Sequence, residues 1–513
     1  MQWSEECDVL VVGSGGGGVT GAYTAAREGL DTIMVEATDK FGGTTAYSGA
    51  GMWLPCNKVL EEAGVQDSMD DVRTYFRAVV GDRTPVELQD AFLDNGAPLV
   101  DYLASDDEHF AFAVLPWADY FGSAPKAHAQ GRQIIPKPMK AEKIGAVRDD
   151  LRPTLAVERA GAPLDPTLTG GQSLIGRFLW AMDGMDNATT YTSTTVDELV
   201  VEDGAVVGAI VEHNGERRAI RARGGVIVAS GGFEGNDEMR AKYGVPGTAR
   251  DTMGPDGNQG KAIAAGIAIG ADVDLMSEAW WSPGVTHPDG RSAFSLWFTG
   301  GIFVNDNGER FVNESLPYDR LGREVIDAMT AGTVTLPYWM VYDDREGEKP
   351  PVVASMQPMG DPKDYVAAGL WKTADTLEEL AEQIGVPAEN LVATVTRFNG
   401  FVSAVSDEDF HRGDEPYDRA FSGGASPLVP IEQGPFHAAA FGLSDLGTKG
   451  GMRTDTAARV LDKEGAVIPG LYAAGNSMAA VTGTVYPGGG NPIGASMVFA
   501  HLAALDVKQN RQG

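Results

Sequence analysis

Gly13, Gly15 and Gly18 stand in a G-x-G-x-x-G spacing directly after the apolar run Val9-Leu10-Val11-Val12. A second apolar run, Thr32-Ile33-Met34-Val35, ends in Glu36, 23 residues after the first of these glycines. Residue types and spacing point to one chemistry, the holding of a dinucleotide. Gly13 permits the tight turn, Gly15 lets the backbone approach a pyrophosphate, and Gly18 lets the next helix pack close to the sheet. The free N–H groups at that helix's start, aided by its dipole, suit the diphosphate, and Glu36 suits a ribose hydroxyl.

The elements that must position these residues are legible around them. The helix is expected from about Gly17 to Arg27, with Gly29 as its stop. Gly42 and Gly43, followed by Thr44, Thr45, Ser48 and Gly49, can line a long cofactor with backbone and hydroxyl donors. Ser68-x-x-Asp71 and Thr84-Pro85-Val86-Glu87 predict two helix starts, the latter a proline-bearing capping box. From about Ala124 to Gly171 the chain is rich in proline and charge without clear period and reads as an excursion or lid; an apolar helix follows from Gly171 to Met182. Asp203-Gly204 and Asn214-Gly215 predict hairpins leading into Gly225-Val226-Ile227-Val228-Ala229-Ser230-Gly231-Gly232, a buried strand with a small-residue end that can pass beneath an adenosine or pyrophosphate.

Between about Leu275 and Gly442 the character changes. Trp280, Trp281, Phe294, Trp297, Phe298 and Phe303 crowd an apolar region, and Thr376-x-x-Glu379 opens a helix–Gly–Pro–helix segment. Gly470-Leu471-Tyr472-Ala473-Ala474-Gly475-Asn476 is another strand ending in glycine, and a final helix is expected from Ala495 to about Val507. The late return of sheet-like segments predicts an α/β, Rossmann-like nucleotide-binding domain, residues 1–276 and 447–513, interrupted by an inserted α+β catalytic domain, 277–446.

Composition narrows the function. The 513 residues carry a net charge of -32, which excludes a cationic nucleic-acid surface and disfavours docking on anionic lipid. Cys7 and Cys56 are the only cysteines, the seven histidines show no metal-ligand spacing, and no long uncharged apolar stretch predicts a membrane span. With an acidic N-terminus, the expectation is a cytoplasmic protein without a metal.

The glycine-ended strands together resemble the fumarate reductase/succinate dehydrogenase-type flavoproteins. The matching pieces include the N-terminal fingerprint, Gly42-Gly43-Thr44, Val228 to Gly232, Gly301 to Glu314 and Gly470 to Asn476. The resemblance implies FAD held by Gly13, Ser14, Gly15, Gly16, Gly17, Gly18, Glu36 and Ala37 in the first segment, and by Gly42, Gly43, Thr44, Thr45, Ser48 and Gly49 in the second. Val196, Ala229, Ser230, Gly231, Gly475, Asn476, Pro492 and Ile493 complete the set. No histidine precedes His109, so FAD attachment in the second glycine segment is excluded and non-covalent FAD is expected. After Arg459 the only arginine is Arg511, and the segment Gly483 to Gly494 has none, which implies a neutral substrate rather than a dicarboxylate.

A sharper resemblance, over essentially the full length, is to 3-ketosteroid Δ1-dehydrogenases. It rests on Pro116-Trp117-Ala118-Asp119-Tyr120-Phe121, Asn313 to Asp319, Ser444 to Gly451, and Tyr486-Pro487-Gly488-Gly489-Gly490-Asn491-Pro492. It implies a base at Tyr318, a supporting Tyr120, and ketone anchors in the Tyr486 hydroxyl and Gly490 N–H. With these the enzyme would convert 4-en-3-ones to 1,4-dien-3-ones, removing a proton from carbon 2 and passing a hydride from carbon 1 to flavin N5. An ordinary tyrosine titrates near ~10, so Tyr318 would need a lowered pKa or a relay through Tyr120. A helix start at about Asn491 would favour reduced flavin. Expected partners are a 3-ketosteroid and an electron acceptor of unassigned identity, a quinone being one candidate. The alternatives are a Δ4-(5α)-dehydrogenase and a noncatalytic flavin electron carrier.

Overall fold

The computed structural model describes residues 2–512. Its first sheet is built on five parallel strands in the order Val467–Ala473, Glu216–Val228, Glu5–Val12, Thr32–Val35 and Ala188–Tyr191. The runs are apolar because both faces are covered, a feature of parallel sheets. Register aligns the strand ends: Val12 pairs with both Val35 and Val228, and Val228 with Ala473. The segments that follow, at Gly13, Glu36, Ala229 and Ala474, therefore emerge side by side along one carboxyl edge, where ligands of open α/β sheets bind. The helix Gly16–Arg27 packs against the helix Asn491–Gln512 on one face of this sheet.

Both hairpins form, joining Thr194–Glu202, Ala205–His213 and Glu216–Val228 into an antiparallel extension. Ser68 caps Met69–Val80 through a bond from the Asp71 N–H. Thr84 departs from expectation. Pro85 is the cap of Val86–Ala104, and the Thr84 hydroxyl instead donates to the Val481 carbonyl at 2.7 Å, tying this helix start to the C-terminal segment. The proline-rich excursion is also more ordered than its sequence pattern shows, holding short strands at Gln133–Pro136 and Met139–Lys140 and a helix at Leu155–Ala160. The final helix starts four residues before the expected Ala495, at Asn491.

The second sheet has seven strands, all paired antiparallel. Ala279–Thr286 and Tyr338–Asp343 flank the long strand Phe436–Thr448, and Ser292–Phe298 continues outward to Val352–Ser355. The helix Tyr318–Thr330 packs across Ala279–Thr286, where Gly322 is needed: a Cβ there would lie 2.7 Å from the Trp281 Cβ. Among the described residues no helix is long and apolar enough to cross a membrane.

Candidate active site

A cavity of about 550 Å³ runs from the carboxyl edge of the parallel strands to the aromatic face of the second sheet. At the strand end, Gly13 has φ +99°, and a Cβ there would lie 2.4 Å from the Ala229 carbonyl oxygen. A Cβ on Gly18 would lie 1.9 Å from the Gly13 carbonyl oxygen, so only glycine allows this strand–helix approach. The Ser14 hydroxyl donates to Glu36 Oε2 at 2.6 Å and accepts from the Gly42 N–H at 2.9 Å. Thr38 donates to Glu36 Oε1 through its N–H at 2.9 Å and its hydroxyl at 2.8 Å. Glu36 is thereby fixed at the cavity wall with acceptor capacity left over.

All the expected cofactor residues line this cavity except two. Gly18 lies behind the turn against Gly13, and Gly42, at φ +123°, spends its N–H on Ser14. Both act on the cavity's shape and not on its surface. Thr45 lines the wall while accepting the Gly16 N–H at 3.0 Å.

At the other end the structure brings together Tyr120, Tyr318, Tyr486 and Gly490. Tyr318 is the first residue of its helix, directly after Pro317. Tyr120 is held through its backbone: its N–H donates to the Pro487 carbonyl at 2.9 Å, and its own carbonyl accepts from Arg320 Nη1 at 2.8 Å. The Tyr75 hydroxyl donates to the same Pro487 carbonyl, which fixes the loop bearing Tyr486. The Tyr318 hydroxyl donates to the Tyr486 oxygen at 2.9 Å, and the Gly490 N–H donates to that oxygen at 3.1 Å. Gly490 has φ +82°, and a Cβ would lie 2.1 Å from the Gly51 carbonyl carbon and oxygen. A Cβ on Gly489 would lie 2.9 Å from the Tyr120 hydroxyl. The Tyr120 and Tyr486 rings stack with centroids 5.1 Å apart, and Tyr318 stands edge-on to both.

Burial pushes Tyr318 and Tyr120 well above the ordinary tyrosine range, and charge on neighbouring phenols pushes further in the same direction. Desolvation is the main cause at Tyr318, and the hydrogen bond with Tyr120 works against it. Tyr486 is pushed up to about 12 by burial, with the Tyr318 and Gly490 bonds pulling the other way. All three phenols are neutral near pH 7. The Tyr486 oxygen already accepts two hydrogen bonds, which polarises its own O–H as a donor. The Gly490 N–H is paired with the Tyr486 oxygen.

Phe294, Leu296, Trp297, Leu115, Trp117 and Met356 supply apolar walls around the tyrosines. Among the described residues the cavity is lined by no arginine or histidine, and its one lysine, Lys261, lies in the glycine-rich segment beside Asn258. Asn258 and Lys261 escaped the sequence reading. The even spacing of Gly254, Gly257 and Gly260 was the available signal. The Asn258 amide donates to Thr44 Oγ1 at 3.2 Å and to buried Glu234, whose carboxyl burial pushes up to about 7.

Comparison with known proteins fits this geometry. A family model described as an FAD binding domain matches residues 8–493. A 3-oxosteroid 1-dehydrogenase of Mycolicibacterium smegmatis is 37% identical, covering 98% of this chain and 97% of the relative. The chain belongs to this FAD-dependent dehydrogenase family. Another member, a 4-oxocyclohexanecarboxylate 2-dehydrogenase of Sinomonas cyclohexanicum, is 35% identical over 99% of this chain and 93% of its own. The crystal structure of 3-ketosteroid Δ1-dehydrogenase from Sterolibacterium denitrificans, in complex with 1,4-androstadiene-3,17-dione, shares the fold with a TM-score of 0.90 at 29% identity, covering 99% of this chain and 100% of that one.

An FAD-dependent dehydrogenase needs a groove that side chains leave open, and the strand end of the cavity provides it. Glycines at 13, 15, 16, 17, 43, 231 and 475 line it, and the helices starting at Gly16 and Asn491 both begin there. First-turn amides of the Gly16 helix suit a diphosphate, Glu36 a ribose, and the Pro492–Ile493 turn an electron-rich ring edge. The residues present fit FAD.

Proposed function

We propose that the chain desaturates 3-oxosteroids between carbons 1 and 2, converting 4-en-3-ones to 1,4-dien-3-ones in steroid catabolism. The observation that carries this reading is the 2.9 Å bond between Tyr318 and Tyr486 at an apolar end of the cavity that no cation lines. Enolising a ketone requires one group at the carbonyl oxygen and another at a hydrogen on the adjacent carbon, and two hydroxyls this close can address both. Tyr486 donates to the ketone oxygen, and the substrate draws the Gly490 N–H towards the same oxygen. Tyr318 takes the proton from carbon 2 as its own proton passes to Tyr486 and the Tyr486 proton passes to the ketone oxygen. A neutral enol forms without a buried phenolate, and the enol proton is released as the hydride leaves carbon 1. Tyr120, packed edge-on against Tyr318, fixes that ring and lowers the cost of charge on its oxygen. Bound FAD supplies the acceptor for the hydride leaving carbon 1.

The apolar walls suit a flat neutral ring system. The Sinomonas relative's name describes a ring ketone bearing a carboxylate. An anion of that kind calls for a cation at the tyrosine end, where none lines the cavity. Anaerobic addition of 4-androstene-3,17-dione should bleach the flavin and yield the 1,4-diene. Bleaching only by 5α-androstanedione, with a 4-ene as product, would transfer the assignment to a Δ4-(5α)-dehydrogenase. A yellow protein that no cyclic ketone bleaches would be an electron carrier.

A further inference from the structure

Lys449 follows directly on the strand Phe436–Thr448 and is fully buried. Its Nζ donates to the Val485 carbonyl at 3.3 Å and lies 4.1 Å from the centre of the Trp280 ring. The acids facing it, Asp319 on the helix Tyr318–Thr330 and Glu278 ahead of Ala279–Thr286, are each engaged by Arg323 at 3.0 Å. Asp319 and Glu278 favour the ammonium, whereas Arg323 opposes it. The lysine therefore rests on one carbonyl and one aromatic face, and both lead to Tyr486. Val485 is its chain neighbour. Trp280 stands edge-on to the Tyr486 ring with centroids 5.1 Å apart, and its indole N–H donates to the cavity-lining Asn476 at 3.0 Å.

We infer that Lys449 is a positioning residue for Tyr486: its ammonium clamps Trp280 and the Val485 carbonyl behind that tyrosine and places positive charge behind the ketone end of the slot. The inference rests on the ketone-enolising reading above. A cation one indole away favours negative charge developing on the oxygen that Tyr486 serves, and low-dielectric surroundings leave it unscreened. Burial draws the Lys449 ammonium down to about 7, so the clamp would titrate in the physiological range. The assisting form is the protonated one, and enolisation should weaken as pH rises through that value.

The test uses holoenzyme and 4-androstene-3,17-dione, with loss of carbon-2 deuterium followed by mass spectrometry without an electron acceptor from pH 5.5 to 9. Wild type should show an alkaline decline centred near pH 7. Lys449→Met should lose about tenfold at pH 6, meet the wild-type rate at pH 9, and lack the decline, while substrate affinity stays within about threefold. Lys449→Arg should keep the rate and also lose the decline. A wild-type profile flat across this range, or Lys449→Met with wild-type rates and the same decline, would overturn the inference even if the variants fold poorly, because the first result needs no variant. Wild type that exchanges no cyclic ketone would overturn the enolising reading itself, and this inference with it.

Discussion

The Tyr318 hydroxyl donates to the Tyr486 hydroxyl across 2.9 Å, although 168 residues separate them in the chain. Tyr318 is presented by the start of a helix packed on the second sheet, and Tyr486 by the loop that enters the final helix on the first. The pair thus stands where the two sheets meet, at the end of the groove that fits FAD. On the reading proposed above, its closeness lets one hydroxyl act on the ketone oxygen while the other acts on a hydrogen of the carbon next to the carbonyl.

Tyr318→Phe removes the hydroxyl proposed as the proton acceptor and keeps the ring that packs against Tyr120 and Phe294. Folding, FAD content and steroid affinity should survive, with turnover falling by about 10²–10⁴-fold. Stopped-flow flavin reduction checks this. Reduction within a few-fold of wild type would mean the base lies elsewhere.

Tyr486→Phe deletes the hydroxyl proposed as donor to the ketone and leaves the Gly490 N–H without its partner oxygen. Carbon-2 exchange and desaturation should slow together, each by roughly 3 kcal/mol in barrier. Exchange at the wild-type rate in this variant would show that the ketone is held by other groups.

What could be read from the sequence divides by the range of the interaction. Gly13, Gly18 and Glu36 were legible because a strand, a turn and a helix within one short segment fix their task. Tyr120, Tyr318 and Tyr486 carry no local signal, and only resemblance to a family singled them out from the 14 tyrosines. Their raised pKa values arise from burial by distant elements. Lys449 sits in the Ser444 to Gly451 segment that carries the resemblance, but nothing local gave it a task, and only the fold sets Trp280 over its ammonium. Thr84 shows the converse, a correct local capping pattern overruled by a tertiary bond to Val481.

Glu36→Ala should weaken FAD retention and leave Ser14 and Thr38 without their shared acceptor. Protein leaving gel filtration pale, and regaining absorbance and activity with added FAD, is the expected result. Full retention of colour would place the ribose contact on another residue.

Gly490→Ala should be more severe than its single methyl implies. The φ of +82° already strains an L side chain, and the new Cβ would meet the Gly51 carbonyl at 2.1 Å. At least 1–3 kcal/mol of local strain is expected, roughly the cost of such backbone positions. Thermal unfolding should shift down, and turnover should fall even at temperatures where the variant stays folded. An unshifted Tm with normal turnover would mean that the Gly51–Gly490 contact opens freely.

Lys449→Met gives a stability test independent of catalysis. Burial lowers the lysine from 10.5 to about 7, so between those values the unfolded chain binds a proton that the folded chain does not. By linkage, wild-type stability from this residue is lost as pH falls from 10.5 towards 7, and the deficit levels off below that. Methionine fills a similar volume without a charge to desolvate. The Tm of Lys449→Met relative to wild type should therefore rise as pH is lowered from 10 to 7 and then stay level, whatever the other titrating groups do to both proteins. A difference independent of pH would mean that Lys449 keeps its ordinary affinity for protons inside the fold, and that its contact with Trp280 is no titrating clamp.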